Sequence, residues 1–266
     1  MKNKMPQSKI LLSKIQRLDS QAIESLTDEL SQQGFAILNT EGYTEASIIK
    51  RTLQESRLMK TFRFPSHSET IQYSEDQRIC FRTLFQWGRW CLRALLIQMD
   101  PDGHRSGDMI ELLQQSNAMF NLFPPNGTGH SPFPDGTPFS GSFFNIFHYN
   151  YGLLNHHRDR YLVTVVAADV NSDTTKKTAL WVNSPTQGWV NLDDRLKPGD
   201  IAIFTGEDFQ DLSSRLGNTI VAVEHCTRVD PTTDRIRIVD NQPDPSTTET
   251  GNRVSIAFVL SESVDT

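Results

Sequence analysis

Hydrophobic positions change their period along the chain, from three-and-four spacing early to alternation later. Leu18, Ile23, Leu26 and Leu30 predict a helix that gives way at Gly34. Ile48, Ile49, Leu53 and Met59 predict a second, over Glu45 to Lys60, and "GFAIL" between the two predicts a first strand. "DQRICFRTLFQWGRWCLRALLIQMD" reads as irregular structure feeding a long helix that closes before Pro101, with Asp108 to Gln115 a further short helix. Pro and Gly cluster between Pro124 and Gly141 and predict a long loop. From Ser142 to Leu260 the pattern is β throughout. Helices followed by a continuous run of strands predict an α+β chain: one domain over 1–266, mainly helical with a first strand over 1–141, and a strand core over 142–261.

Chemistry enters at "LLNHHRDRYLVTVV", where one residue separates His157 from Asp159. In a strand, residues two apart face the same way, so this imidazole and this carboxylate can meet one ion. His225 ends a second β-patterned run, "NTIVAVEH", 225 − 159 = 66 positions after Asp159. Two histidines and a carboxylate form the facial triad that holds non-heme Fe(II) and leaves positions open for O₂. A third element is "GNRVSIAFVL". As a strand it puts Val254, Ile256, Phe258 and Leu260 on one face and Arg253, Ser255 and Ala257 on the other. A guanidinium turned inward is costly when unpaired. A bound carboxylate would satisfy it and the hydroxyl, because the guanidinium fork matches two carboxylate oxygens.

The ordered set His157-x-Asp159, His225, Arg253-x-Ser255 resembles the 2-oxoglutarate/Fe(II)-dependent dioxygenases of the isopenicillin N synthase-like branch. The likeness covers most of the chain. "SQQGFAIL" is similar to the family's N-terminal helix and "GFF" strand, and "FRFP" to its "FF-LP" segment. "ALWVNSPTQGWVNL" resembles the "GLQV...GWVDV" hairpin with Trp189 in the tryptophan place, and "KPGD" the turn after it. The resemblance implies a double-stranded β-helix, or jelly roll, with N-terminal helices packed on one sheet. It implies that His157, Asp159 and His225 bind iron and carry catalysis, that Arg253 and Ser255 hold the distal carboxylate of 2-oxoglutarate, and that Tyr149 stands near that carboxylate. The implied reaction oxidises a C–H bond of a small organic substrate, most often to an alcohol, consuming O₂ and releasing succinate and CO₂. An isopenicillin N synthase-like or ascorbate-using oxidase that spares 2-oxoglutarate, and a non-catalytic jelly-roll binding or sensor module, stay open as alternatives.

The chain departs from the family in three places. Arg160 and Tyr161 follow Asp159 where the family's "HTDYG" has a glycine soon after. Arg253 stands 253 − 225 = 28 positions after His225, far more than usual, and Asp230 to Gly251 reads as a solvated loop or hairpin extension. Asp208 to Gly217 exceeds the family's tight turn.

Composition narrows the partners. With 26 basic and 32 acidic residues among 266 the net charge is −6, and no basic run or stripe predicts nucleic acid or an anionic membrane as a partner. No apolar run approaches a membrane span, and the first residues lack a signal sequence, so a cytoplasmic protein, monomeric or weakly homo-oligomeric, is expected. Cys80, Cys91 and Cys226 have no metal-like spacing and argue against a disulfide framework, Cys226 being expected to point away from the metal. Alternation turns His156 and His148 away from the site, and His67, His104 and His130 read as solvated. Trp87, Trp90 and Trp181 read as packing residues.

Overall fold

The computed structural model describes residues 10–55, 62–64, 74–104, 142–148, 154–169, 178–228, 230–232, 238–239, 242–243 and 253–260. Chain order begins with strand β1 (Ile10–Leu11), helices α1 (Leu12–Gln16) and α2 (Ser20–Gln33), and strand β2 (Phe35–Asn39). Asp19 caps α2 by accepting from the Ala22 amide, and Gly34 ends it with φ +79°, a left-handed value that glycine adopts without strain. Helix α3 (Glu45–Glu55), strand β3 (Phe62–Phe64) and helix α4 (Glu75–Met99) follow. Helix α4 opens on a capping box: the Ser74 hydroxyl accepts from the Gln77 amide while the Gln77 side chain accepts from the Ser74 amide. The run predicted as irregular is therefore helical from Glu75, and the box, not the hydrophobic pattern, marks its start.

The remaining strands are β4 (Phe143–His148), β5 (Leu154–His157), β6 (Val163–Ala168), β7 (Ala179–Ser184), β8 (Gly188–Asn191), β9 (Asp200–Thr205), β10 (His225–Arg228), β11 (Ile238–Val239), β12 (Gln242–Pro243) and β13 (Val254–Leu260). Among the described residues, seven strands form one sheet in the order β1-β2-β9-β6-β13-β4-β3, antiparallel except for β1 beside β2. A second sheet, β5-β10-β7-β8, is antiparallel, and β11 pairs with β12. One helix, α5 (Glu207–Arg215), interrupts the region predicted to be β throughout and accounts for the long segment after β9. Asn218 to Glu224, predicted as strand, lies outside any ladder because its backbone finds other partners: Ile220 N–H donates to Ser213, Ala222 N–H to Gln210, and the Val221 carbonyl accepts from Thr205.

Alternation along the seven-stranded sheet separates two cores. Val163, Val165, Ala167, Ile201, Ile203, Ile256 and Phe258 pack with the helices, where Phe81 and Phe85 of α4 meet Phe258 edge-on at 5.6 and 5.9 Å. The opposite face, with Phe35, Ile37, Val166, Ala202 and Phe204, packs against Leu180, Val182 and Val190 of the second sheet. The chain is thus α+β, with helices, a large antiparallel sheet and a small one stacked in that order. The "ALWVNSPTQGWVNL" hairpin is β7 and β8, and the "KPGD" turn places Gly199 at φ +84°. Met59, Asp108 to Gln115, the loop from Pro124 to Gly141 and most of Asp230 to Gly251 lie outside the described residues. None of the described helices is long and apolar enough to cross a membrane.

Candidate metal centre

Strand register brings the two histidines together. Strand β10 lies between β5 and β7, and His225 pairs directly with His157. Paired residues on neighbouring strands share a face, and the two imidazole rings stand 4.2 Å apart between centroids. His225 opens its strand where the sequence pattern would have it close one. Each ring is oriented by backbone: His157 Nδ1 lies 2.8 Å from the Asn155 carbonyl and His225 Nδ1 3.2 Å from that of Val223. A carbonyl only accepts, so both Nδ1 atoms carry the proton and both Nε2 atoms offer a lone pair.

Asp159 reaches the pair by a different route from the one its spacing suggests. Strand β5 stops at His157, so strand alternation does not align the two residues. Instead the turn carrying Asp159 is fastened to the start of α5, where the Glu207 amide donates to the Asp159 carbonyl at 2.8 Å and the Asp208 amide to that of Arg160 at 3.1 Å. Gly206 makes that approach possible, because a Cβ there would lie 2.0 Å from the Tyr161 carbonyl oxygen. The Asp159 side chain then turns Oδ1 toward both rings, 3.5 Å from His157 Nε2 and 3.7 Å from His225 Nε2. Its other oxygen, Oδ2, accepts a hydrogen bond from the Thr164 hydroxyl on β6.

The three ligand atoms lie within 4.8 Å of one another. Ligands at right angles on an octahedral ion with bonds of about 2.1 Å stand about 3 Å apart, close to the carboxylate-to-imidazole separations here. Electrostatics agree with the donor set at Asp159 and His225. Burial opposes charge on Asp159, but the His157 hydrogen bond, His225 and Thr164 outweigh it and hold the carboxyl below its usual pKa. Burial pushes His225 below the ordinary histidine value, toward the neutral form that ligates. For His157 burial acts the same way, yet Asp159 and the Asn155 carbonyl outweigh it and the pKa rises.

A cavity of about 290 Å³ between the sheets connects this cluster with β13. His157, Asp159, His225, Arg253 and Ser255 all line it, together with apolar Leu180, Phe204 and Ala257. Arg253 is 2% exposed and donates from Nη1 to Ser255 Oγ at 2.7 Å. It also has a carboxylate partner from the chain itself: Nε and Nη2 donate to the two oxygens of Asp193 at 2.6 and 2.9 Å. The carboxylate expected from a bound ligand to offset the inward Arg253 is thus already supplied in part by the chain itself. Tyr149 lies outside the described residues. His156 faces away, its ring 4.8 Å from that of Trp189 and its Nδ1 3.9 Å from Glu224. Cys226 is buried and, with Cys80 and Cys91, unbridged.

Sequence reasoning passed over Thr164, Asp193 and Gly206. Thr164 left a signal, as a lone hydroxyl in the apolar run "LVTVVAA". Asp193 is one of two adjacent aspartates after a hairpin, and nothing in the pattern selects it.

No family model matches the sequence, and no curated protein is significantly similar to it. Solved structures do share its fold. A full-length Neurospora crassa protein in complex with alpha-KG and 5-formyluracil superposes with a TM-score of 0.52 at 12% identity, covering 95% of this chain and 83% of that one. JOX2 in complex with 2OG, Fe and JA superposes with a TM-score of 0.52 at 14% identity, over 97% of this chain and 75% of that one. At such identities the likeness is one of fold, and that fold is the one in which these 2OG-binding proteins are built.

Proposed function

We propose that the protein is an Fe(II)- and 2-oxoglutarate-dependent oxygenase that oxidises, most often by hydroxylation, a C–H bond of a small organic substrate. One observation carries the reading: two imidazoles and one carboxylate converge in the same cavity as the buried Arg253–Ser255 pair. The two stacked sheets are then the halves of a double-stranded β-helix, and the fold shared with JOX2 and the Neurospora crassa protein supports that assignment. A cavity of this volume suits a small molecule, and the neighbours hold molecules of that size.

In this reading His157, Asp159 and His225 would hold Fe(II), a set of two imidazoles and one carboxylate that suits that ion. When bound, iron and 2-oxoglutarate supply the oxidising chemistry, consuming O₂ and releasing succinate and CO₂. The chain's own residues bind and orient. Thr164 engages Asp159 Oδ2 and so would leave Oδ1 as the oxygen offered to the ion. Arg253 would donate to the distal carboxylate of 2-oxoglutarate, and Ser255, whose oxygen already accepts from Arg253, would give its own proton to the same group. Leu180, Phe204 and Ala257 line the space between and exclude water.

The test is product formation from the co-substrate. Purified protein given Fe(II), O₂ and 2-oxoglutarate should release succinate slowly even without its substrate, and the Asp159→Ala variant should not. Equal succinate from both, or none from the wild type at any iron concentration, would remove the proposal.

A further inference from the structure

We infer that Asp193 is a positioning residue for Arg253, holding the guanidinium in the plane that recognises a distal carboxylate; this rests on the co-substrate reading above. Asp193 follows β8 and reaches across to β13, joining the small sheet to the large one. Its contact with Arg253 is fork on fork, both oxygens against Nε and Nη2. With Nη1 on Ser255, the guanidinium is held at all three of its nitrogens, so its plane and its reach into the cavity are set before a ligand enters.

The same carboxylate could instead be a rival that a ligand must displace. Its anchoring argues otherwise. Asp193 Oδ2 also accepts from the Leu180 amide at 3.3 Å, and the Leu192 amide beside it donates to the Leu180 carbonyl at 2.8 Å, so the side chain is tied to the backbone of β7. Arg253 is 2% exposed and the Asp193 side chain 17%. A carboxylate fixed in this way neutralises the buried cation and keeps it oriented, as a supporting group does for a ligand-binding one.

The experiment compares two chelators of the same metal. Pyruvate offers iron a 2-oxo acid but has no distal carboxylate to reach Arg253, whereas 2-oxoglutarate offers both. Affinities of each for the Fe(II)-loaded protein are read anaerobically from the visible charge-transfer absorption in wild type, Asp193→Ala, Asp193→Asn and Arg253→Leu. Wild type should prefer 2-oxoglutarate. Asp193→Ala should cut that preference by about tenfold or more, the effect of one charge-assisted hydrogen bond, with pyruvate affinity within about twofold. Asp193→Asn, which keeps an acceptor, should fall between. A general loosening of the fold would weaken both chelators alike, so an unchanged preference in Asp193→Ala and Asp193→Asn overturns the assignment. A preference that rises overturns it too, and makes Asp193 a competitor for Arg253. If wild type itself shows no preference, the co-substrate reading falls and Asp193 with it. If wild type discriminates and only Arg253→Leu loses the preference, Asp193 alone is refuted.

Discussion

Three side chains converge on one point, two through strand register and the third through the turn beyond β5, and their supports are what single substitutions probe. His157→Ala or Asp159→Ala should abolish tight binding of a divalent ion, while His156→Ala, stacked against Trp189 on the far side, should leave it within about threefold. Titration calorimetry with Mn(II) decides this, and loss in His156→Ala with retention in His157→Ala would put the register off by one. Thr164→Val keeps shape and removes the hydroxyl that engages Asp159 Oδ2. A hydrogen bond to a charged group is worth about 1.5 to 3 kcal/mol, so metal affinity should fall about tenfold or more and recover in Thr164→Ser. Arg253→Leu removes a cation but also strands the Asp193 carboxylate in a mostly buried place, so it should lower the melting temperature as well as 2-oxoglutarate affinity. At this scale the candidate ligands were legible from residue type and order, although the route that brings Asp159 to the histidines was not the one its spacing suggests. Their supports were not, because a hydroxyl on one strand and a carboxylate after a hairpin become partners only through tertiary contact.

Strands β10 and β13 show how far an element can be read from its own residues. Alternation in "VSIAFVL" puts Ile256 and Phe258 on one face and Ser255 and Ala257 on the other, and in the structure the first set packs with the helices while the second lines the cavity. The pairing of His225 with His157 could not be read that way, since register is fixed by the partner strand. Nor could α5, whose first amides hold the turn of Asp159 by its carbonyls. That contact yields a sharp prediction. Gly206→Ala would place a Cβ 2.0 Å from the Tyr161 oxygen, so the turn must move, and both melting temperature and Mn(II) affinity should drop. Gly88→Ala is the control: its Cβ would meet nothing nearer than 3.6 Å, and helix propensity should make α4 more stable by about 0.5 to 1 kcal/mol with metal affinity unchanged. Similar losses in both variants would disprove the role given to the α5 contact.

Across the whole molecule, the large sheet separates stability from chemistry. Its helix-facing side carries the main apolar core, and its other side, with the small sheet, encloses the cavity. Phe258→Ala, which empties a fully buried position between Phe81 and Phe85, should cost about 3 to 5 kcal/mol without altering metal affinity in the folded fraction. An ion bound only by the native state should in turn raise the melting temperature, by about 2.7 kcal/mol of stability at a hundredfold excess over Kd. The layered α+β arrangement was legible because helical and alternating periods occupy separate stretches of sequence. The capping box of α4 and the loss of ladder pairing in Asn218 to Glu224 were not, since both depend on where backbone groups find partners. The central claim is that His157, Asp159 and His225 present one ion to a 2-oxo diacid held by Arg253. Anaerobic addition of Fe(II) and 2-oxoglutarate tests it most directly: a visible charge-transfer band should grow only with both present, persist in His156→Ala and vanish in Asp159→Ala. No band in the wild type, or an equal band in Asp159→Ala, would contradict it.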